Sequence, residues 1–330
     1  MIKIFISGAT GFIGSRLALR LADEGNIIHA LYRSENKTGI IKHRNIRLFK
    51  GDILDRTSLT PAIEGCLQVY HTAAFAKTWD INPANIYRLN IEGTINVISA
   101  GLETGAKQFV CTSTAGVFGP SGKNNSVEES FPKPKKYFTH YESSKAILEH
   151  IFRILSKSGT SIVIVNPTRV YGPGILSESN GVTRMIKSYT EGRWRMIPGN
   201  GKSIGNYVHV EDVVTGHILA MNNGVPGENY ILGGSNVSYN DLFSELAVLT
   251  GKKFKMINIP VWFMLLLSHG LLFYAKISGK EPFITPPLVK KFVCDWNVSS
   301  SKAINELGYN SMSLNTGLKN TLDWLNSLHV

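Results

Sequence analysis

The stretch SGATGFIGSRLALRLADEG, residues 7–25, decides how the rest of the chain is read. Gly8, Gly11 and Gly14 stand three apart, with an apolar run from Met1 to Ile6 ahead of them and a helix-like run behind. A bare turn between a strand and a helix lets a dinucleotide approach the backbone. The free N–H groups at the helix start then face its pyrophosphate. The spacing is G-x-x-G-x-x-G, not the commoner G-x-G-x-x-G, and a glycine triplet alone also fits an ordinary tight turn. Context favours the ligand, because the turn heads a long series of alternating strands and helices.

Strands are expected at 3–7, 26–32, 46–50, 67–71, 107–112 and 161–165, and helices at 12–24, 55–64, 90–104 and 139–156. Apolar strands separated by helices of this length imply parallel pairing with helices on both faces. The fold class is therefore α/β, a Rossmann-type doubly wound parallel sheet that carries ligands at the carboxyl ends of its strands. A chain of 330 residues is long for one compact domain. Residues 1–171 are expected to form the dinucleotide-binding domain, with 206–232 returning to it. The rest of 172–330 is expected to form a smaller substrate lobe.

Hydrophobic content of 43% and charged content of 18% describe a globular protein with a real core. The net charge of +11 suits an anionic ligand, a nucleic acid or a membrane surface without choosing among them. The basic residues are scattered, with only short runs such as KPKK at 133–136, so nucleic acid is not expected. Cys66, Cys111 and Cys294 are far apart and odd in number, which reads as reduced thiols in a cytoplasmic setting. The glycine turn comes early, so a cleavable signal segment is not expected. The nine histidines show no metal-binding spacing, so metal catalysis is not expected.

The end of the second strand should grip the adenosine ribose, about 20 residues beyond the glycines. An acid there would favour NAD. Tyr32 occupies the place and Arg33 follows, and a guanidinium suits a 2′-phosphate. Glu35 is near enough to keep NAD as the alternative. The catalytic candidates lie further on. Of 12 tyrosines, only Tyr141 has a lysine four residues later, Lys145. On a helix the two share a face. A nearby cation is expected to lower the phenol pKa and fit it for proton transfer to a carbonyl oxygen or from an alcohol. Upstream, the expected strand in FVCTSTAGVFG ends in Thr112, Ser113 and Thr114 and points hydroxyls toward the cofactor crevice.

Together these pieces resemble the extended short-chain dehydrogenases/reductases, of the NAD-dependent epimerase/dehydratase superfamily, over essentially the full chain. GATGFIG, with Gly8, Thr10, Gly11, Phe12, Ile13 and Gly14, looks like their nucleotide loop. GDILD at 51–55 looks like their adenine-contacting turn, carrying Asp52 and Ile53. HTAA at 71–74, with Thr72, Ala73 and Ala74, looks like the strand end beside the cofactor. LNIEGT at 89–94 is similar to the helix start that carries the family asparagine, here Asn90. NPTRVYGPG at 166–174, with Pro167 and Val170, matches the nicotinamide-side loop, and YVHVEDVV at 207–214 the segment returning to the sheet. The resemblance implies that Tyr141 is the proton donor or acceptor and Thr114 polarises the substrate oxygen. It implies that Lys145 lowers the tyrosine pKa and holds the nicotinamide ribose. It also implies a dimer through two long helices, including the one that carries Tyr141.

Sugar-nucleotide dehydratases of the family carry Asp-Glu directly after the threonine. Ala115 and Gly116 stand there instead, which disfavours dehydration. Arg33, NPTRVYGPG and WNVSSSKAINELGY at 296–309 are similar to the dihydroflavonol-reductase and 3β-hydroxysteroid-dehydrogenase-like branch. An NADP-dependent reductase of a ketone or secondary alcohol is the expected function. A sugar-nucleotide epimerase retaining NAD and a non-catalytic nucleotide sensor are the alternatives. The expected lobe contains IPVWFMLLLSHGLLFYAKI at 259–277, with no acid and Lys276 as its only strong base. It approaches the roughly 18–20 apolar residues of a membrane span. Ser268, His269 and Gly270 break its middle, so a buried or pocket-lining helix is expected, with an interfacial helix as the alternative. A lipophilic substrate follows from either.

Overall fold

The computed structural model describes residues 1–77, 79–123 and 125–328. The first half alternates as expected: β1 Lys3–Ser7, α1 Phe12–Asp23, β2 Ile27–Tyr32, β3 Ile46–Lys50, α2 Arg56–Ile63, β4 Gln68–His71, α3 Ala84–Tyr87, α4 Gly93–Glu103, β5 Gln108–Thr112, α5 His140–Lys157 and β6 Ser161–Pro167. The second half holds β7 Arg169–Tyr171, α6 Gly181–Thr190, β8 Met196–Pro198, β9 Ile204–His209, α7 Val210–Asn223, β10 Asn229–Leu232, β11 Ser235–Ser238, α8 Tyr239–Thr250, β12 Ile257–Ile259, α9 Val261–Ser278, α10 Pro286–Phe292 and α11 Leu314–Ser327.

Seven strands form one sheet in the order β10-β6-β5-β4-β1-β2-β3, every pair parallel. The order reverses at β1, so a crevice opens there between the β1 and β4 ends. Strands buried on both faces need apolar side chains on both, and two cores result. One packs Leu17, Ala18 and Leu21 of α1 and Val213 and Val214 of α7 against one face. The other packs Leu59 and Ile63 of α2, Val97 of α4 and Leu148 and Phe152 of α5 against the opposite face.

The returning segment 206–232 divides between two sheets. α7 and β10 join the main layer, while β9 pairs with β7 and β11 in a separate three-stranded sheet. The C-terminal stretch also crosses back. Ala303, Leu307 and Tyr309 sit in the core of the nucleotide domain, and the Tyr309 hydroxyl donates to the Gly233 carbonyl at 2.9 Å. The remaining lobe has its own core, with Ile186, Tyr189, Leu242, Leu246 and Leu318. Residues 329 and 330, which end the expected lobe, lie outside the described residues. The helix at 259–277 forms but does not pack inward as expected. Only Met264, Ser268 and Ala275 of α9 are buried, because the lobe offers it a single narrow stripe.

Candidate active site

A cavity of about 710 Å³ lies along the carboxyl ends of β1 to β6. Gly8, Thr10, Gly11, Phe12, Ile13 and Gly14 line it after β1, and Tyr32 and Arg33 after β2. Asp52 and Ile53 line it after β3, Thr72, Ala73 and Ala74 after β4, Thr114 after β5, and Pro167 and Val170 near the end of β6. The glycines are required by the chain itself. Gly8 has φ +74°, and a Cβ there would stand 2.6 Å from the Ala73 amide nitrogen. A Cβ on Gly14 would stand 2.2 Å from the Gly8 carbonyl oxygen. No side chain caps α1, so its first amides keep their hydrogen-bonding capacity at the cavity wall. A bare, uncapped helix start at the switch point of a parallel sheet fits a dinucleotide pyrophosphate.

At the adenosine end, Arg33 is largely solvent-exposed, with Nη1 3.9 Å from the Asp52 carboxylate. Lys37, from the 3-10 turn after β2, lines the same wall. Glu35, the residue that kept NAD open, pairs with Lys50 at 3.1 Å and is not on the lining. Asp52 is the one acid among the described lining residues, against Arg33, Lys37, Arg169 and Lys291.

The chemical end is built by β5 and α5. Thr139 and Glu142 form a capping box at the start of α5, which fixes Tyr141 in the first turn and Lys145 one turn on. Of the three strand-end hydroxyls, two are engaged elsewhere. Ser113 donates to Glu149 at 2.7 Å. His217 sets its Nδ1 on the Val213 carbonyl at 2.7 Å, so that nitrogen carries the proton and Nε2 accepts from Thr112 at 2.8 Å. Thr114 faces the cavity with Tyr141, its Oγ1 accepting from the Gly116 amide at 3.2 Å. A Cβ on Gly116 would come within 2.9 Å of the Glu142 carboxylate. A side chain there would require the Glu142 carboxylate to shift.

Two expected cofactor residues stand behind the wall. Lys145 is buried, donates to the Thr112 carbonyl at 2.8 Å and holds Nζ 6.0 Å from the centre of the Tyr141 ring. Burial lowers its pKa to about 8, against the opposing pull of Cys111 and Glu149. Asn90 is buried in a π-helical turn, Arg88–Glu92. It accepts from the Phe75 amide at 2.7 Å and donates to Ser144 at 2.9 Å, tying the loop after β4 to α5. One expectation reverses. The Tyr141 pKa is raised, not lowered, because burial disfavours phenolate and the neighbouring Glu142 adds to the effect.

The cavity wall around Arg169 was missed from sequence. Arg169 donates to the hydroxyls of Tyr207 and Tyr239, both at 3.2 Å, with the guanidinium 5.5 and 5.6 Å from the two ring centres. Burial opposes its charge, and the two tyrosines that accept its hydrogen bonds act the other way and raise its pKa overall. Arg169, Thr114 and Lys291 line one small recess of about 70 Å³. Lys291 is also bonded to Glu142, which ties α10 to the start of α5. Trp194, Met185, Leu288 and Phe292 add apolar wall. Arg169 was legible as part of NPTRVYGPG, but its tyrosine partners lie 38 and 70 residues away. Among the described residues, no cluster of His, Cys, Asp or Glu could hold a metal.

The fold is that of a Rossmann-type α/β protein with its cavity at the carboxyl ends of the parallel strands. The chain belongs to the NAD dependent epimerase/dehydratase family, whose model matches residues 4–233. It is 27% identical over 325 residues to a putative dihydroflavonol 4-reductase of Synechocystis sp., covering 97% of this chain and 93% of that protein. It is 30% identical over 256 residues to sterol demethylase protein B of Methylococcus capsulatus, covering 77% and 76%. Among solved structures, gox2253 superposes with a TM-score of 0.84 at 28% identity over 99% of both chains. A Thermotoga maritima UDP-glucose 4-epimerase shares the fold, with a TM-score of 0.81 at 23% identity and all of both chains covered. The relatives thus include a putative reductase and a dehydrogenase/decarboxylase, while the epimerase shares the fold.

Proposed function

We propose that this protein is an NADP-dependent oxidoreductase that moves hydride between nicotinamide and a ketone or secondary alcohol of lipophilic character. The carrying observation is that Thr114 and Tyr141 share one cavity wall while Lys145 sits buried behind it. Phe12, Ile13 and Gly14 would hold the pyrophosphate. Arg33 and Lys37 would hold a 2′-phosphate, and Pro167 and Val170 would flank the nicotinamide. A bound nicotinamide supplies or accepts the hydride.

The side chains handle the proton and the oxygen. Thr114 donates a hydrogen bond to the substrate oxygen. Tyr141 gives that oxygen a proton in reduction, or takes one from the alcohol in oxidation. Burial keeps Tyr141 protonated, as a donor must be. Lys145 is mostly charged at neutral pH and favours the phenolate left after transfer. Arg169 and Lys291 would orient a polar or anionic group beside the reacting carbon, while Trp194, Leu288 and Phe292 cover an apolar body.

Two features of setting belong to the same reading. Three free thiols, two of them buried, suit a reducing cytoplasmic compartment. Ile95 and Leu102 of α4 and Ile147 and Ile154 of α5 are exposed, which suits a homodimer through these helices. The test is a panel of lipophilic ketones and secondary alcohols with NADPH, NADH and their oxidised forms, read by nicotinamide absorbance. Turnover with NADPH on a ketone is expected. A protein that copurifies with bound NAD and acts only on sugar nucleotides would overturn the reading.

A further inference from the structure

The outer face of α9 has no counterpart in the chemistry of the site. Trp262, Leu266, Phe273 and Ile277 are spaced by four, seven and four residues, so they share one stripe. Their exposures are 67%, 65%, 68% and 72%, and nearby Phe283 reaches 76%. The opposite stripe is already used. Met264 packs with Ile284 and with Val289 of α10, and Leu271 joins them. A helix that is apolar all round is ordinarily covered all round. This one is covered along a single edge.

The charges around the helix bear on what could cover the rest. From Leu246 to Lys280 the chain has no acid and five lysines: Lys252, Lys253, Lys255, Lys276 and Lys280. All five are exposed. Three precede the apolar helix and two lie at or beyond its end. Glu281, the first acid beyond, is bonded to Lys77. A greasy strip flanked by cations at both ends matches an anionic lipid surface, where acyl chains take the strip and headgroups take the lysines. α9 has the length and composition of a span. Its inner stripe, however, holds it against α10, so it lies in the plane of the interface.

We infer that α9 docks the substrate lobe onto anionic phospholipid bilayers, with Trp262, Leu266, Phe273 and Ile277 in the headgroup layer. The docked face is one helix away from the site, because α10 packs on α9 and contributes Leu288 and Phe292 to the cavity wall. A lipophilic substrate then has a short route from bilayer to cavity. The inference rests on the surface and stands apart from the chemistry proposed for the site.

The experiment sediments the full chain with phosphatidylcholine vesicles, with and without phosphatidylglycerol, at low and high salt. The native protein is expected to follow the phosphatidylglycerol vesicles at low salt and to be released at high salt, because exposed lysines are screened. The double variant Leu266→Glu, Phe273→Glu should lose binding by more than about tenfold, since two apolar side chains no longer enter the interface. NADPH affinity, measured alongside, should be unchanged and shows that the variant is folded. No sedimentation of the native protein with anionic vesicles would overturn the inference. So would vesicle binding by a folded double variant at the native level. A native dimer that the same double variant dissociates would assign the face to a second copy, and that result would overturn it too.

Discussion

Tyr141 and Thr114 face the same cavity from different elements, a helix start and a strand end, and each depends on neighbours that are not on the cavity wall. Replacing Tyr141 by Phe removes only the hydroxyl. Turnover should fall about 10²–10⁴-fold, the range of a lost general acid, while cofactor affinity stays near native. Arg33 makes the other sharp prediction at this scale. Arg33→Ala should narrow the preference for NADPH over NADH by about 1 kcal/mol, a modest value because the side chain is largely exposed. Calorimetry with both cofactors measures it, and an unchanged gap would remove Arg33 from the 2′-phosphate site. Arg169 should govern substrate affinity: Arg169→Lys keeps the charge but loses the planar fork held between Tyr207 and Tyr239. A raised KM with cofactor affinity retained is the expected outcome.

Elements decide which motif residues touch ligand and which hold others in place. Asn90 shows the difference. Its π-helical turn swings the amide inward, where it joins the loop after β4 to α5 through Phe75 and Ser144. Asn90→Ala should leave the part-buried Phe75 amide without its partner and cost about 1–3 kcal/mol of stability. It should also weaken cofactor binding more than it slows the bound complex, which separate KM and kcat measurements would show. The strands and helices of the nucleotide domain were legible from sequence because buried parallel strands are continuous apolar runs and α5 starts on a capping box. The glycine turn was legible for a similar reason, since local sterics leave no alternative there. The wall around Arg169 was not. Arg169, Trp194, Tyr239 and Lys291 come from different elements, and only the folded chain brings them together. The Tyr141 pKa went the other way because burial cannot be read from an i, i+4 pair.

Across the whole molecule, burial ties stability to pH. His71, His209 and His217 are buried, and desolvation lowers their pKa values to about 3, about 4 and about 4. The unfolded chain binds more protons at these sites below its own histidine value near 6.5. Their contribution is therefore full above about pH 6.5 and is lost as pH falls toward about 4. Asp212, pushed up to about 6 by burial, works in the opposite sense, losing its contribution as pH rises through that value. Three histidines outweigh one acid. The Tm should drop by several degrees between neutral pH and about pH 5. A calorimetric scan that stays flat over that range would show that the histidines are not buried as neutral rings. The role of Tyr141 has a more direct test in the absorbance of NADPH, followed while the native protein and Tyr141→Phe meet the same lipophilic ketone. The native protein should oxidise NADPH, and the variant should lose most turnover while still binding the cofactor. Turnover by Tyr141→Phe at the native rate would contradict it.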